Sequence, residues 1–202
     1  MRASVDEWIT AQHSSELPLY DYRFDHVTEV VRIAKHLASE TGARADIVAA
    51  AAWLHDIAKP GMGGTKSHAK RGAEIARDIL VSEGMASEDV EMVCEVIASH
   101  EGLTLDRPLK LIEAQVLWEA DKIVKLGAVG VIHYVVNGIK LHPGSDLSMM
   151  SEDMAQFMPL AARIAASMST PAGKRLAMER LAVLRGFVES LSRELSLEET
   201  HR

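Results

Sequence analysis

The feature that most constrains this chain is a set of helix-spaced apolar stripes, each interrupted by a histidine or an aspartate. His26 shares a face with Val30, Ile33 and Leu37, while Glu29, Arg32 and the solvent-facing His36 lie opposite. Val90, Val93 and Ile97 lead to His100, and Ala114, Leu117 and Val124 flank Asp121. The pair His55-Asp56 closes the apolar run Ile47–Leu54, and His68 opens a segment with Gly72, Ile75 and Ile79. A carboxylate on a buried face is costly unless it is paired or bound to a cation. One such residue is unremarkable, but several in one helical core are best explained by a shared cation. Imidazole and carboxylate ligands suit Mn, Fe, Ni, Co, Mg or Zn. Adjacent residues on a helix diverge by about 100°, so His55 and Asp56 can share a cation only if it sits between them near the helix surface.

Breakers and caps divide the rest into helices. The first runs from about Asp25 to Ser39 and is stopped by Gly42, and the second from an Asp46 N-cap to Ala58 or Lys59. Pro60-Gly61 and Gly63-Gly64 then form a flexible loop. Ser67 caps a third helix that Gly84 breaks, and a fourth starts near Ser87 and stops at Gly102. Pro108 marks the start of a fifth, where its missing N–H matters least. A loop is expected at Asn137-Gly138 and His142-Pro143-Gly144, followed by helices over about Glu152–Met168 and Ala172–Leu195. The last of these carries the stripe Leu176, Val183 (with Leu184), Phe187 and Leu191.

This pattern predicts an all-α fold. Alanine, the best helix former, recurs in runs such as Ala49–Ala52, while aromatic residues are only 4%. With 202 residues, the chain reads as a single domain that can bury a core without disulfides. The core falls at about residues 20–128 and a C-terminal helical extension at about 129–202, which packs on the core or forms a homodimer. Cys94 is the only cysteine, so no intrachain disulfide forms, and it reads as a small buried hydrophobe. A formal net charge of −7 argues against extended nucleic-acid binding. No stretch approaches the roughly 20 apolar residues of a membrane span, and the first fifteen residues lack a signal-peptide core. The expected location is cytoplasmic.

The ordered set His26, Leu54-His55-Asp56-Ile57-Ala58-Lys59 and Glu119-Ala120-Asp121-Lys122 resembles the HD superfamily of metal-dependent phosphohydrolases. His68 with Gly72-Ala73 and Ile97-Ala98-Ser99-His100 extend the resemblance, which covers residues 20 to 128 closely. The segment Gly173 to Leu195 is similar to the C-terminal helix of small stand-alone members. The resemblance implies a helical bundle of the HD type with additional C-terminal helices. It implies that His26, His55, Asp56 and Asp121 hold a divalent metal, and that His68 and His100 hold a second ion or contact substrate phosphate. One or two metals per chain are expected, with Asp56 bridging if there are two. His100-Glu101 stands where many binuclear phosphodiesterases have His-His, and a Gly-Tyr-Pro segment is missing. Both departures point away from a cyclic dinucleotide.

A metal lowers the pKa of a bound water and polarises a phosphoryl oxygen. The resemblance therefore implies hydrolysis of a nucleotide or other small phosphorylated metabolite. Asp56 and Asp121 are candidate proton acceptors, and cations beside the motifs serve the phosphate. Lys59 (also counted among the catalytic candidates) and Lys122 are the leading substrate contacts, ahead of Lys66, Lys70 and Arg71. The alternatives are a di-iron oxygenase on the same fold and a non-catalytic metal- or nucleotide-binding regulatory module. His13, His133, His142 and His201 match nothing and receive no role.

Overall fold

The computed structural model describes residues 22–59, 67–142 and 144–196, and in these the chain is helical without strands. Helix α1 spans Tyr22–Thr41, α2 Ala45–Leu54, α3 His68–Ser82, α4 Ser87–Ala98 and α5 Ile112–Ile123. The C-terminal part adds α6 (Gly127–Leu141), α7 (Leu147–Ala166) and α8 (Pro171–Ser196). Helices α1, α2, α4 and α5 pack on one another, with α3 held against α4. α8 packs along α6 and α7 and also reaches α5 and α1. The core is mostly aliphatic and holds Ile33, Leu37, Ile47, Ile97 and Leu117 together with the Trp118 ring, all at most 2% exposed. Fully burying a side chain of this kind contributes about 1.5–3 kcal/mol. Cys94 is buried, with its thiol donating to the Ala73 carbonyl.

The stripes on α1, α4 and α5 fall as the sequence predicts. Val30, Val93, Ile97, Ala114 and Val124 are buried together with His26, His100 and Asp121. Gly42 and Gly84 follow helix ends with positive φ, and the Ser67 hydroxyl accepts from the Lys70 N–H to cap α3. Four local readings are corrected. Arg44, not Asp46, is the N-cap of α2, and Asp46 sits in the first turn paired with Arg44. The regular helix there ends at Leu54, and His55–Ala58 continue as turns. Pro108 precedes α5 by four positions, the helix starting at Ile112. Asn137-Gly138 lies within α6, and only His142 onward leaves it, because packing along α8 outweighs the propensity of about 1 kcal/mol lost at glycine.

On α8 the buried face is Ala177, Leu181, Leu184 and Val188, whereas Val183 and Phe187 are exposed. The periodicity is right and its phase is shifted by one residue, because the small residues Ala172, Gly173 and Ala177 make the close contact. Gly173 shows why: a Cβ there would lie 2.0 Å from Glu119 Oε2. That carboxylate, fully buried on α5, accepts from the N–H groups of Ser169 and Thr170 and from the Thr170 hydroxyl at 2.6–2.7 Å. The Thr170 hydroxyl in turn accepts from the Gly173 N–H and caps α8. α5 and the α7–α8 corner are thereby tied to each other.

Candidate metal centre

Four segments converge at one end of α1, α2, α4 and α5. His26 projects from the first turns of α1, His55-Asp56 from the end of α2, and Asp121 from α5. All four are buried, at 0–3% exposure. His26 Nε2 lies 3.3 Å from Asp121 Oδ1 and 3.8 Å from Asp56 Oδ2, and His55 Nε2 lies 3.6 Å from Asp56 Oδ2. Asp56 Oδ1 faces the other way, 3.6 Å from His100 Nε2 and 3.8 Å from His68 Nε2. Two groups result, His26, His55 and Asp56, and Asp56, His68 and His100, each with ligand atoms within 4.8 Å of one another. Asp121 joins the first group through His26. Ligand atoms about 2.0–2.2 Å from one ion stand about 3 Å apart, so these somewhat wider spacings would let the groups close on an ion.

The hydrogen bonds fix which ring nitrogens are available. His55 Nδ1 lies 2.8 Å from the Ala52 carbonyl and His100 Nδ1 2.6 Å from the Ile97 carbonyl. A carbonyl can only accept, so each Nδ1 carries the proton and each Nε2 presents a lone pair to the cluster. His68 Nδ1 is held 3.1 Å from Glu101 Oε1, with the same consequence. The His68 and His100 Nε2 atoms are 3.2 Å apart.

Among the described residues, the buried side-chain atoms that lack a hydrogen-bond partner are His26 Nδ1 and Nε2, His55 Nε2, Asp56 Oδ1, Asp121 Oδ1 and the Trp118 indole nitrogen. Five of these six belong to the four candidate ligands. An orphaned buried polar atom costs about 1–3 kcal/mol, and a cation beside His26 Nε2, His55 Nε2 and Asp121 Oδ1 would remove that cost for these three. Burial lowers the pKa of His26 and takes that of His55 down to about 4. Burial pushes Asp56 upward, but the facing His55, His100 and Lys59 outweigh it and hold the carboxyl well below its usual range. Lys125 and Lys122 outweigh burial in the same way at Asp121. Neutral imidazoles and ionised carboxylates are the protonation states a divalent cation requires. The donor set fits a metal.

Gly72 makes the geometry attainable. A Cβ at that position would lie 3.2 Å from the His55 carbonyl, so the glycine lets α3 approach the His55-Asp56 turn and bring His68 to the site.

Cations surround the carboxylates. The Lys59 ammonium is 2.7 Å from Asp56 Oδ2, at a half-buried position. Lys122 is placed differently from a rim residue. It is 4% exposed, and its ammonium bonds Asp121 and, at 3.2 Å, the His100 carbonyl, with the Trp118 ring 5.7 Å away. Lys70 and Arg71 are exposed, Arg71 pairing with Glu74, and Lys66 lies outside the described residues. Two cations escaped the sequence reading. Arg23 Nη1 is 3.8 Å from Asp56 Oδ2, and Lys125 Nζ is 3.5 Å from Asp121 Oδ1. Lys125 stands one helical turn beyond Asp121, a spacing that could have pointed to it. Arg23 carried no such signal.

The helical bundle gathers a histidine and a His-Asp pair within 4.8 Å of one another, with a distal aspartate against the histidine, a cluster that could hold a metal ion. The HD domain family model matches residues 23–126, just over half of the chain, and the chain belongs to that family. Ribonuclease Y of Cutibacterium acnes is 41% identical over 80 residues, which are 38% of this chain but only 13% of the ribonuclease. YpgQ of Bacillus subtilis is 26% identical over 198 residues, 95% of this chain and 92% of YpgQ. The fold is similar to the crystal structure of Bacillus subtilis YpgQ in complex with ADP, with a TM-score of 0.68, 23% identity and coverage of 96% and 97% of the two chains. An HD-superfamily hydrolase from Bacillus thuringiensis gives a TM-score of 0.68 at 22% identity, covering 96% and 98%.

Proposed function

We propose that this protein is a metal-dependent phosphohydrolase acting on a nucleotide or another small phosphorylated metabolite. The observation that carries this reading is the meeting of His26 Nε2, His55 Nε2 and Asp121 Oδ1, all buried and without hydrogen-bond partners, beside Asp56, whose own unpartnered Oδ1 faces His68 and His100. These four residues would hold the primary metal, and His68 and His100 would hold a second ion through Asp56 or meet the substrate phosphate. Such a metal supplies an activated water and a Lewis acid for the phosphoryl oxygen. Around it the chain supplies cations. Lys59, Arg23 and Lys125 come from three different segments and neutralise charge that develops on the phosphoryl oxygens. Asp56 and Asp121 are ionised and each has one oxygen, Oδ1, without a hydrogen-bond partner, so each can take a proton from the attacking water. Lys122 fits a positioning role better than substrate contact, since its bonds orient Asp121 and the His100 turn.

The nucleotide part of the reading draws support from the ADP bound to YpgQ, a full-length likeness. The proposal is tested by metal analysis of the purified protein, followed by a Mn²⁺, Co²⁺, Ni²⁺ and Mg²⁺ activity screen over nucleotides and simple phosphate esters. Metal-dependent phosphate release is expected. Stoichiometric metal with no phosphate release from any substrate sinks the proposal.

A further inference from the structure

A cavity of about 290 Å³ opens between α6 and α7 and runs to the metal centre. Two residues belong to both places. His26 lines its inner end, and so does Lys125, whose ammonium reaches Asp121. The remaining wall is aromatic to a degree unusual in a chain with 4% aromatic residues. Tyr22 and His133 stand edge to face with centroids 5.0 Å apart, and Tyr134 and Phe157 lie 6.0 Å apart at 35°. Thus two of the chain's three tyrosines and one of its three phenylalanines line this space. His133 is 5% exposed and fixed by a 2.7 Å contact to Asp25. Besides His26, Lys125, His133 and the two tyrosines, the polar lining residues are Asn137 and, toward solvent, Asp153, Ser145 and His142.

We infer that this cavity is the subsite for the non-phosphate part of the substrate, and that this part is a single planar ring system of nucleobase size. The inference rests on the phosphohydrolase reading above, because it makes Lys125 the junction between phosphate and ring. Aromatic side chains bind a flat ring by stacking, and an amide such as Asn137 offers both a donor and an acceptor to a ring edge. Ligand pockets run from about 300 to 1,000 Å³, so this one is at the small end. It has room for one base with its sugar and not for a dinucleotide or a strand.

The test compares substrates that share the phosphates and differ in the ring. Two variants are made, Phe157→Ala, which removes a wall, and Gly138→Leu, which fills the space. Gly138 lines the cavity within α6, and a Cβ there meets no atom within 4 Å, so the second variant keeps the fold. Affinity for the non-hydrolysable α,β-methylene analogues of the four common nucleoside diphosphates is measured by calorimetry on the metal-loaded protein. KM is then measured with metal for nucleoside triphosphate and for inorganic triphosphate. Both variants are expected to weaken nucleoside diphosphate binding and raise the nucleotide KM at least about tenfold, while the inorganic triphosphate KM stays within about twofold. Undiminished nucleoside diphosphate affinity in Gly138→Leu, an equal rise in KM for both substrates, or no diphosphate binding by the wild type overturns the subsite. Loss of the phosphohydrolase reading has a different signature: no phosphate release from either triphosphate by wild-type protein, with the calorimetry still deciding the cavity.

Discussion

The two halves of the candidate metal centre are built to different rules. The inner half, His26, His55 and Asp121, is sealed from solvent and leaves four of its side-chain polar atoms without hydrogen bonds. The outer half, His68 and His100, is anchored by protein through Nδ1, to Glu101 and to the Ile97 carbonyl, and the His68 side chain is 28% exposed. The inner residues are therefore expected to gain more from a bound cation than His68, which is anchored by Glu101 and partly open to solvent. Asp56 divides them, giving one oxygen to each side.

Substitution of that dividing residue is the harshest test of the distinction. Asp56→Asn keeps the shape and removes the charge both halves use. Phosphohydrolase activity is expected to fall at least about 100-fold while the helical circular-dichroism spectrum is kept. Full activity in a metal-verified variant would remove Asp56 from the mechanism.

Next in size is the stability response to metal. At a metal concentration of 100 Kd, the folded state gains about 2.7 kcal/mol, or about 5–10 °C in Tm for a chain of this size. His55→Ala should abolish this shift and His68→Ala should retain most of it, as read by thermal melts with and without Mn²⁺. Equal loss in both variants would show that the halves bind as one unit.

His68→Ala and His100→Ala separate two roles for the outer half. If it holds a second ion, bound metal falls from about two equivalents to one. If it meets substrate phosphate, metal content is constant and KM rises. Unchanged metal content and kinetics in both variants would exclude the pair from the site.

The smallest expected effect is at Glu101. Glu101→Gln still offers an oxygen to the Ala69 N–H but loses the charge facing His68 Nδ1. About a tenfold drop is expected in whichever property His68 controls, with the inner half's thermal shift untouched. A diminished inner shift would show that the two halves are coupled through Asp56.

The candidate ligands were legible in the sequence and the surroundings were not, for a physical reason. His26, His100 and Asp121 each break an apolar stripe on their own helix, so local periodicity exposes them. Arg23, Lys125, Tyr22 and His133 acquire their meaning only where α1, the α5–α6 turn and α6 meet, and no periodicity within one helix records that meeting. His133 in particular looks unassigned along the chain and becomes a cavity wall through Asp25, more than 100 residues away. The same limit explains α8, where 3.6-residue spacing was plain but the buried side was chosen by the close fit of Gly173 to Glu119.

That fit bears on how freely the C-terminal helices could be exchanged or trimmed. Glu119 and Asp121 are two positions apart on α5, one gripping the α7–α8 corner and the other facing the metal centre. A protein engineer who cut the chain after the family-matched stretch would leave the Glu119 carboxylate stripped of the Ser169 and Thr170 donors that hold it. Any graft of a foreign C-terminal half must restore those donors, or the turn of α5 that aims Asp121 inherits the vacancy. In that sense the scaffold and the chemistry are not separable modules here but opposite grips on one rod.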